Sequence, residues 1–134
     1  MSSKLMEYFN KTPRLGTLST ASKDGTVNVG VFGSPIMEDE KTITMGLGNN
    51  RTFKNLQENP HAVFIVMDPG ESPDKWKGVR VYLKMIECRT SGHKLDKLKE
   101  RLGLYGAMMQ AAITFEVTEL RPILDMGQGW EASI

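Results

Sequence analysis

The residues best able to do chemistry stand in one run, Met45-Gly46-Leu47-Gly48-Asn49-Asn50-Arg51-Thr52-Phe53-Lys54-Asn55. Its two glycines let the backbone come close to a ligand. Asn49 or Asn50 can cap a helix whose first turn leaves amide donors unpaired, and Thr52 adds a hydroxyl. The helix dipole favours acids in that turn by roughly 0.3 to 1 kcal/mol. Here the turn carries Arg51 and Lys54 and no acid, a conflict that a bound anion resolves. An ordinary helix start with solvated cations fits the spacing equally well. The run is neither a phosphate loop ending in Gly-Lys-Ser/Thr nor a Gly-x-Gly-x-x-Gly turn, so those nucleotide folds gain no support from it.

Other reactive side chains form no pattern of this kind. His61 and His93, with a single cysteine, offer no metal-ligand spacing, and no metal is expected. Cys88 reads as a buried residue beside Ile86 rather than a poised nucleophile, and no catalytic residue is assigned. The lysines between Lys94 and Arg101 alternate with Asp96 and Glu100, the pattern of a solvated helix face rather than a nucleic-acid patch. Met37, Met45, Met67 and Met85 read as core. Trp76 and Trp130 each fit either a lid or a packing anchor.

The whole composition narrows the classes further. A chain of 134 residues suits one domain, taken here as residues 1–134, and 40% hydrophobic with 25% charged residues is ordinary for a globular protein. Seventeen basic against sixteen acidic residues leave a net charge of +1, too little field to hold a polyanion. No nucleic-acid partner is expected. The longest apolar run, residues 62–67, is far short of the roughly 20 needed to span a bilayer, so no membrane role is expected either. The polar start Met1-Ser2-Ser3-Lys4 and the lone cysteine point to the cytoplasm.

The elements that must position the run follow from periodicity. Leu5, Met6 and Phe9 share one side of a short helix that Pro13 closes. Residues 14–21 and 26–32 read as a hairpin about Asp24-Gly25. In its second arm Val27, Val29 and Val31 make an apolar face, while Asn28, Gly30 and Phe32 make a face suited to something other than packing. Residues 34–40, with Pro35, read as a turn into a strand over 41–47. The helix after the Gly-rich run ends at Pro60, and residues 61–67 read as a strand covered on both faces. Residues 68–78 read as a loop. Alternation from Val79 to Met85 switches parity at Ile86, the mark of a bulge in a long strand. Leu95, Leu98 and Leu102 define a third helix, residues 111–120 a last strand, and residues 122–134 a tail. The expected fold is mainly β with short helices, a six-stranded antiparallel split barrel.

The order of these features resembles the pyridoxamine 5′-phosphate oxidase-like, FMN-binding split-barrel family over nearly the whole chain. The segments that carry the likeness are Arg14-Leu15-Gly16-Thr17-Leu18-Ser19-Thr20, then Asp24-Gly25 with Val27-Asn28-Val29-Gly30-Val31. Arg51-Thr52-Phe53-Lys54-Asn55-Leu56 with Asn59-Pro60 and the strand around residues 79–85 follow. The resemblance implies that Arg51 and Thr52, with Lys54 and the turn residue Asn50, hold the FMN phosphate. It lays the flavin ring along Val31, Phe32, Gly33 and Ser34 and along Met45, Gly46, Leu47 and Gly48. It further implies a homodimer with the cofactor at the interface, where Gln128 and Trp130 of the tail are candidates for its cover.

The chain departs from the oxidase itself, because Arg121-Pro122-Ile123-Leu124 runs into acidic and apolar residues and no basic C-terminal segment follows. The likeness is closer to the small FMN-binding and flavin-reductase-like members. The expectation is an FMN-dependent oxidoreductase or electron-transfer protein acting with a small-molecule redox partner, deazaflavin being the alternative cofactor. The alternative function is a module that binds a flavin, deazaflavin or haem-type ligand without turnover.

Overall fold

In a computed structural model, residues 3–134 are described; Met1 and Ser2, read above as part of a polar start, lie outside them. Seven antiparallel strands form one sheet: β1 (Leu15–Ala21), β2 (Val27–Val31), β3 (Ile36–Asp39), β4 (Thr42–Leu47), β5 (His61–Asp68), β6 (Lys77–Arg89) and β7 (Ala111–Pro122). Their order across the sheet is β2-β1-β5-β6-β7-β4-β3. The two edge strands, β2 and β3, are consecutive in the chain yet do not pair, so the barrel is split between them. Leu18, Ile43, Phe64, Val66, Val79, Val81, Ile113 and Phe115, drawn from five strands, fill its interior without exposure.

The seventh strand corrects the expectation of six. Residues 36–39 were expected to turn, on account of Pro35 and three charges, but Met37 pairs with Ile43 of β4 on one side. On the other side its N–H donates to Asn10 Oδ1 at 2.8 Å and its C=O accepts from Asn10 Nδ2 at 2.9 Å. One side chain thus supplies the pairing a neighbouring strand would have made, and no local propensity announces that. The expected bulge is present: the register between β6 and β7 shifts between Met85 and Glu87, with a second shift between Tyr82 and Leu83.

Three helices close the barrel. α1 (Lys4–Asn10) is capped by Ser3 Oγ, which accepts from Met6 N at 3.2 Å, and buries Leu5 and Phe9 against the core. α2 (Arg51–Glu58) lies on the β1–β2 hairpin, where Asn55 Nδ2 donates to Thr20 Oγ1 at 3.1 Å between two buried side chains. α3 (His93–Leu102) packs Leu95 and Leu98 over β4 and β7 and ends at Gly103, whose φ of 61° favours glycine. The hairpin turn closes through Ser22 N donating to Thr26 O at 2.9 Å and Gly25 N to Ser22 O at 3.0 Å, with Gly25 at φ 89°. Among the described residues no helix is long and apolar enough to cross a membrane.

Candidate functional site at the start of the second helix

The Gly-rich run leaves the sheet where β4 loses its neighbour. β3 pairs with β4 only through Thr44, so beyond it one edge of β4 is open. There Ser34 Oγ accepts from Gly46 N at 3.4 Å and donates to Gly46 O at 3.3 Å, tying the β2–β3 linker to the run. Gly46 sits in close approach: a Cβ would stand 2.6 Å from Leu98 Cδ2 and 2.8 Å from Met109 Sδ, side-chain ends that would have to shift. Gly48 is nearly as tight, its Cβ position being 3.0 Å from the Met108 carbonyl.

Asn50 caps α2 by accepting from Phe53 N at 2.9 Å. The amides of Arg51 and Thr52 are then the open donors of the first turn. The Thr52 side chain is buried and its Oγ1 accepts from Asn28 Nδ2 at 3.5 Å. Gly30 lies alongside, with its Cβ position 3.6 Å from Thr52 Oγ1. Arg51 and Lys54 stand on the same first turn and border a neighbouring cleft. With Ser22, Lys23, Asp24, Thr26 and Glu58 they line a cleft of about 430 Å³ between helix and hairpin turn.

That cleft holds three cations, Lys23, Arg51 and Lys54, and two carboxylates, Asp24 and Glu58. Glu58 accepts from Lys23 N at 3.1 Å, and Asp24 accepts from Ser22 Oγ and from Thr26 N at 3.1 Å. Those bonds, the one from Ser22 first, hold the Asp24 carboxyl below its ordinary range. Lys23, Arg51 and Lys54 have no carboxylate partner among the described residues. Two backbone amides, the Thr52 hydroxyl and the Asn28 amide at the helix start, and three cations in the cleft beside it, are donor types suited to a phosphate. A larger cavity, about 690 Å³, lies between α3 and β4–β7. Its lining has the same balance, Lys94, Lys97 and Arg101 with Glu38 and Glu100, but does not include the start of α2.

The second arm of the hairpin faces the opposite way from a simple reading of its alternation. Asn28, Gly30 and Phe32 turn inward, Phe32 packing on the core, while Val27, Val29 and Val31 are 77%, 62% and 72% exposed. Phe32 N donates to Gly16 O at 3.2 Å and Ser22 N to Thr26 O at 2.9 Å, so the even-numbered residues of β2 face β1 through their backbone bonds. In an antiparallel ladder the N–H and C=O of Val27, Val29 and Val31 then point to the open edge. The outer face continues through Ser19, Val63 and Tyr82, and with Val27 and Val29 they line a shallow groove of about 450 Å³.

The other residues singled out from sequence are divided. Gly33 and Val31 are exposed beside the open edge, and Ser34 bridges to Gly46. Met45 and Leu47 are 1% and 0% exposed, so their side chains belong to the core and only their backbone borders the site. Trp130 packs against the core and lines a cavity with Lys41 and Val117, at the end of β4 remote from Gly48 within its own chain. Gln128 is engaged in its own turn, accepting from Met126 N at 2.7 Å and donating to Leu124 O at 2.6 Å. Lys23, Ser22 and Thr26 were missed as site residues. A hairpin turn signal says nothing about which helix lies beside it.

The fold is thus a split β-barrel whose Gly-rich turn opens into a donor-rich helix start. A match to the family described as Pyridoxamine 5′-phosphate oxidase spans residues 2–123, and the chain belongs to that family. It is 32% identical over 107 residues to uncharacterized protein MJ0282 of Methanocaldococcus jannaschii, covering 77% of this chain and 68% of the relative. An FMN-binding protein from Syntrophomonas wolfei subsp. wolfei superposes with a TM-score of 0.78 at 26% identity, over 90% of this chain and 84% of that one. An F420 reductase shares the fold, with a TM-score of 0.64 at 18% identity over 89% of this chain and 98% of its own.

Proposed function

We propose that this protein binds FMN as a homodimer and works as a flavin-dependent oxidoreductase or electron carrier for a small-molecule redox partner. The observation that carries the reading is the donor set at the start of α2, set beside the open edge of β2 in a member of this family. The residues fit an FMN phosphate. The Arg51 and Thr52 amides, the Thr52 hydroxyl and the Arg51 guanidinium would hold it, with Lys54 and Lys23 adding charge. The backbone of Val31 and the Gly46–Gly48 edge would bond the ring, and bound flavin would supply electron or hydride transfer. No side chain is required as a proton donor.

The second protomer enters through the exposed valines. An apolar edge strand with unpaired backbone groups is a template for unwanted pairing, and native proteins cover such strands. Val27, Val29 and Val31, continued by Val63 and Tyr82, make a self-complementary face suited to a two-fold contact. That contact would shield the β2 edge, and a ring lying on it, from water.

Arg51→Ala tests the phosphate assignment. Losing a charge-assisted hydrogen bond worth about 1.5 to 3 kcal/mol raises the FMN dissociation constant roughly tenfold to a hundredfold. Riboflavin, with the same ring and no phosphate, should be nearly indifferent. Equal losses for both ligands, measured by flavin fluorescence, refute the assignment. The spectrum and mass of the molecule released on denaturation separate FMN from a deazaflavin.

A further inference from the structure

We infer that Arg14 is the positioning residue of the ring-binding linker, and that its unpaired charge favours the reduced flavin over the oxidised one. The inference rests on the flavin reading above. Arg14 stands just before β1, half-buried, with its guanidinium 5.0 Å from the centre of the Phe9 ring and 5.9 Å from that of Phe64. Nη1 donates to the Phe9 carbonyl at the end of α1, and Nη2 donates to the carbonyls of Gly33, at 3.1 Å, and Pro35. The end of α1 and the β2–β3 linker are thereby drawn to one fork, a geometry a lysine cannot reproduce.

The linker held in this way is the one that borders the site. Phe32 N is fixed to Gly16 O and Ser34 Oγ to the Gly46 backbone, while Arg14 takes the carbonyls of the alternate residues, 33 and 35. With the guanidinium gone, the linker keeps its two ends and loses its middle. The open edge at Val31 and the edge at Gly46–Gly48 would then no longer stand at a fixed separation.

The charge matters separately. No carboxylate pairs with Arg14 among the described residues; its partners are carbonyl oxygens and ring faces, which leave the full positive charge in place. The nearby carboxylate on β5, Asp68, is taken by Lys11 and by the Tyr8 hydroxyl at 2.7 Å. Two-electron reduction would add negative charge to a bound flavin ring. A fixed cation beside the ring's linker would stabilise the reduced form relative to the oxidised one.

The test uses full-length protein carrying Arg14→Lys, which keeps the charge and loses the fork, and Arg14→Gln, which loses the charge. Wild-type protein is titrated first with FMN and riboflavin; absence of saturable binding refutes the flavin reading itself. Given binding, both variants should lose affinity for FMN and riboflavin by the same factor, about tenfold, unlike Arg51→Ala, which should affect FMN alone. The potential, read during dithionite reduction against a reference dye, should fall by about 30 mV in R14Q, the equivalent of a tenfold change for two electrons. It should stay near the wild-type value in R14K. Arg14→Met replaces R14Q if thermal melts show that R14Q does not fold. Wild-type ring affinity in R14K overturns the positioning role, and an unchanged potential in the neutral variant overturns the electrostatic one.

Discussion

Val29→Lys tests the proposed two-fold contact at the centre of the exposed valine face. Val29 is 62% exposed in the single chain and its side chain leaves the barrel interior untouched. Covering a whole valine contributes about 1.5 to 3 kcal/mol, so covering what remains exposed contributes about 1 to 2 kcal/mol per copy. A two-fold axis presents the residue twice, which makes about 2 to 4 kcal/mol for the dimer, before the cost of desolvating two ammonium groups. The dimer dissociation constant should therefore rise roughly 30-fold to 1,000-fold. Fold stability should move by no more than a few tenths of a kcal/mol, as expected of an outward position on an edge strand. Light scattering across a concentration series reads the assembly, and fluorescence titration reads FMN retention, which should fall together with dimerisation. A Val29→Lys protein that dimerises like the wild type refutes the interface. One that is monomeric yet binds FMN with undiminished affinity refutes the placing of the cofactor there.

Gly46→Val should destabilise by about 1 to 3 kcal/mol through overpacking, because its side chain would meet Leu98 and Met109; an unchanged thermal midpoint would contradict the close approach. Deleting residues 128–134 should lower the melting temperature of the ligand-free protein, since Trp130 and Ile134 pack on the core, and a melt identical to the full chain would make the tail a detachable cover instead. Desolvation raises the Asp68 carboxyl, but hydrogen bonds from Lys11 and Tyr8 and the charges of Lys11 and Lys77 outweigh it and hold the pKa below its ordinary value. Its contribution is therefore present above the unfolded carboxylate pKa of about 3.9 and is lost as pH falls through the lower folded value. The melting difference between wild type and Asp68→Asn should be constant from about pH 5 to 8 and shrink below about pH 4; a difference that grows in acid would reverse the sign.

Much of the fold was legible in local pattern. The alternation of Val79, Val81 and Leu83 and its break at Ile86 carry the long strand and its bulge, because a period of two and a change of parity are properties of neighbouring residues. Gly46, Gly48, Asn50, Arg51 and Thr52 carry the anion-ready helix start for the same reason: cap, free amides and hydroxyl all lie within one turn of chain. The direction of β2 was decided elsewhere. Alternation defines two faces and leaves open which of them is inside, and Val27, Val29 and Val31 proved to be outside because α2 and Phe32 already fill the inner side. β3 exists through the Asn10 side chain, 27 residues away from Met37, and Lys23 joins Arg51 and Lys54 only because α2 folds back on the hairpin. Arg14 reaches Gly33 and Pro35 across 19 and 21 residues. Sequence by itself determined the strands other than β3, the three helices and the chemistry of the hairpin turn and of the α2 start, which depend on contacts within a few residues. Tertiary structure alone decided which face is covered, which cations meet and what the half-buried Arg14 guanidinium holds, since those depend on pairings that no short-range pattern encodes.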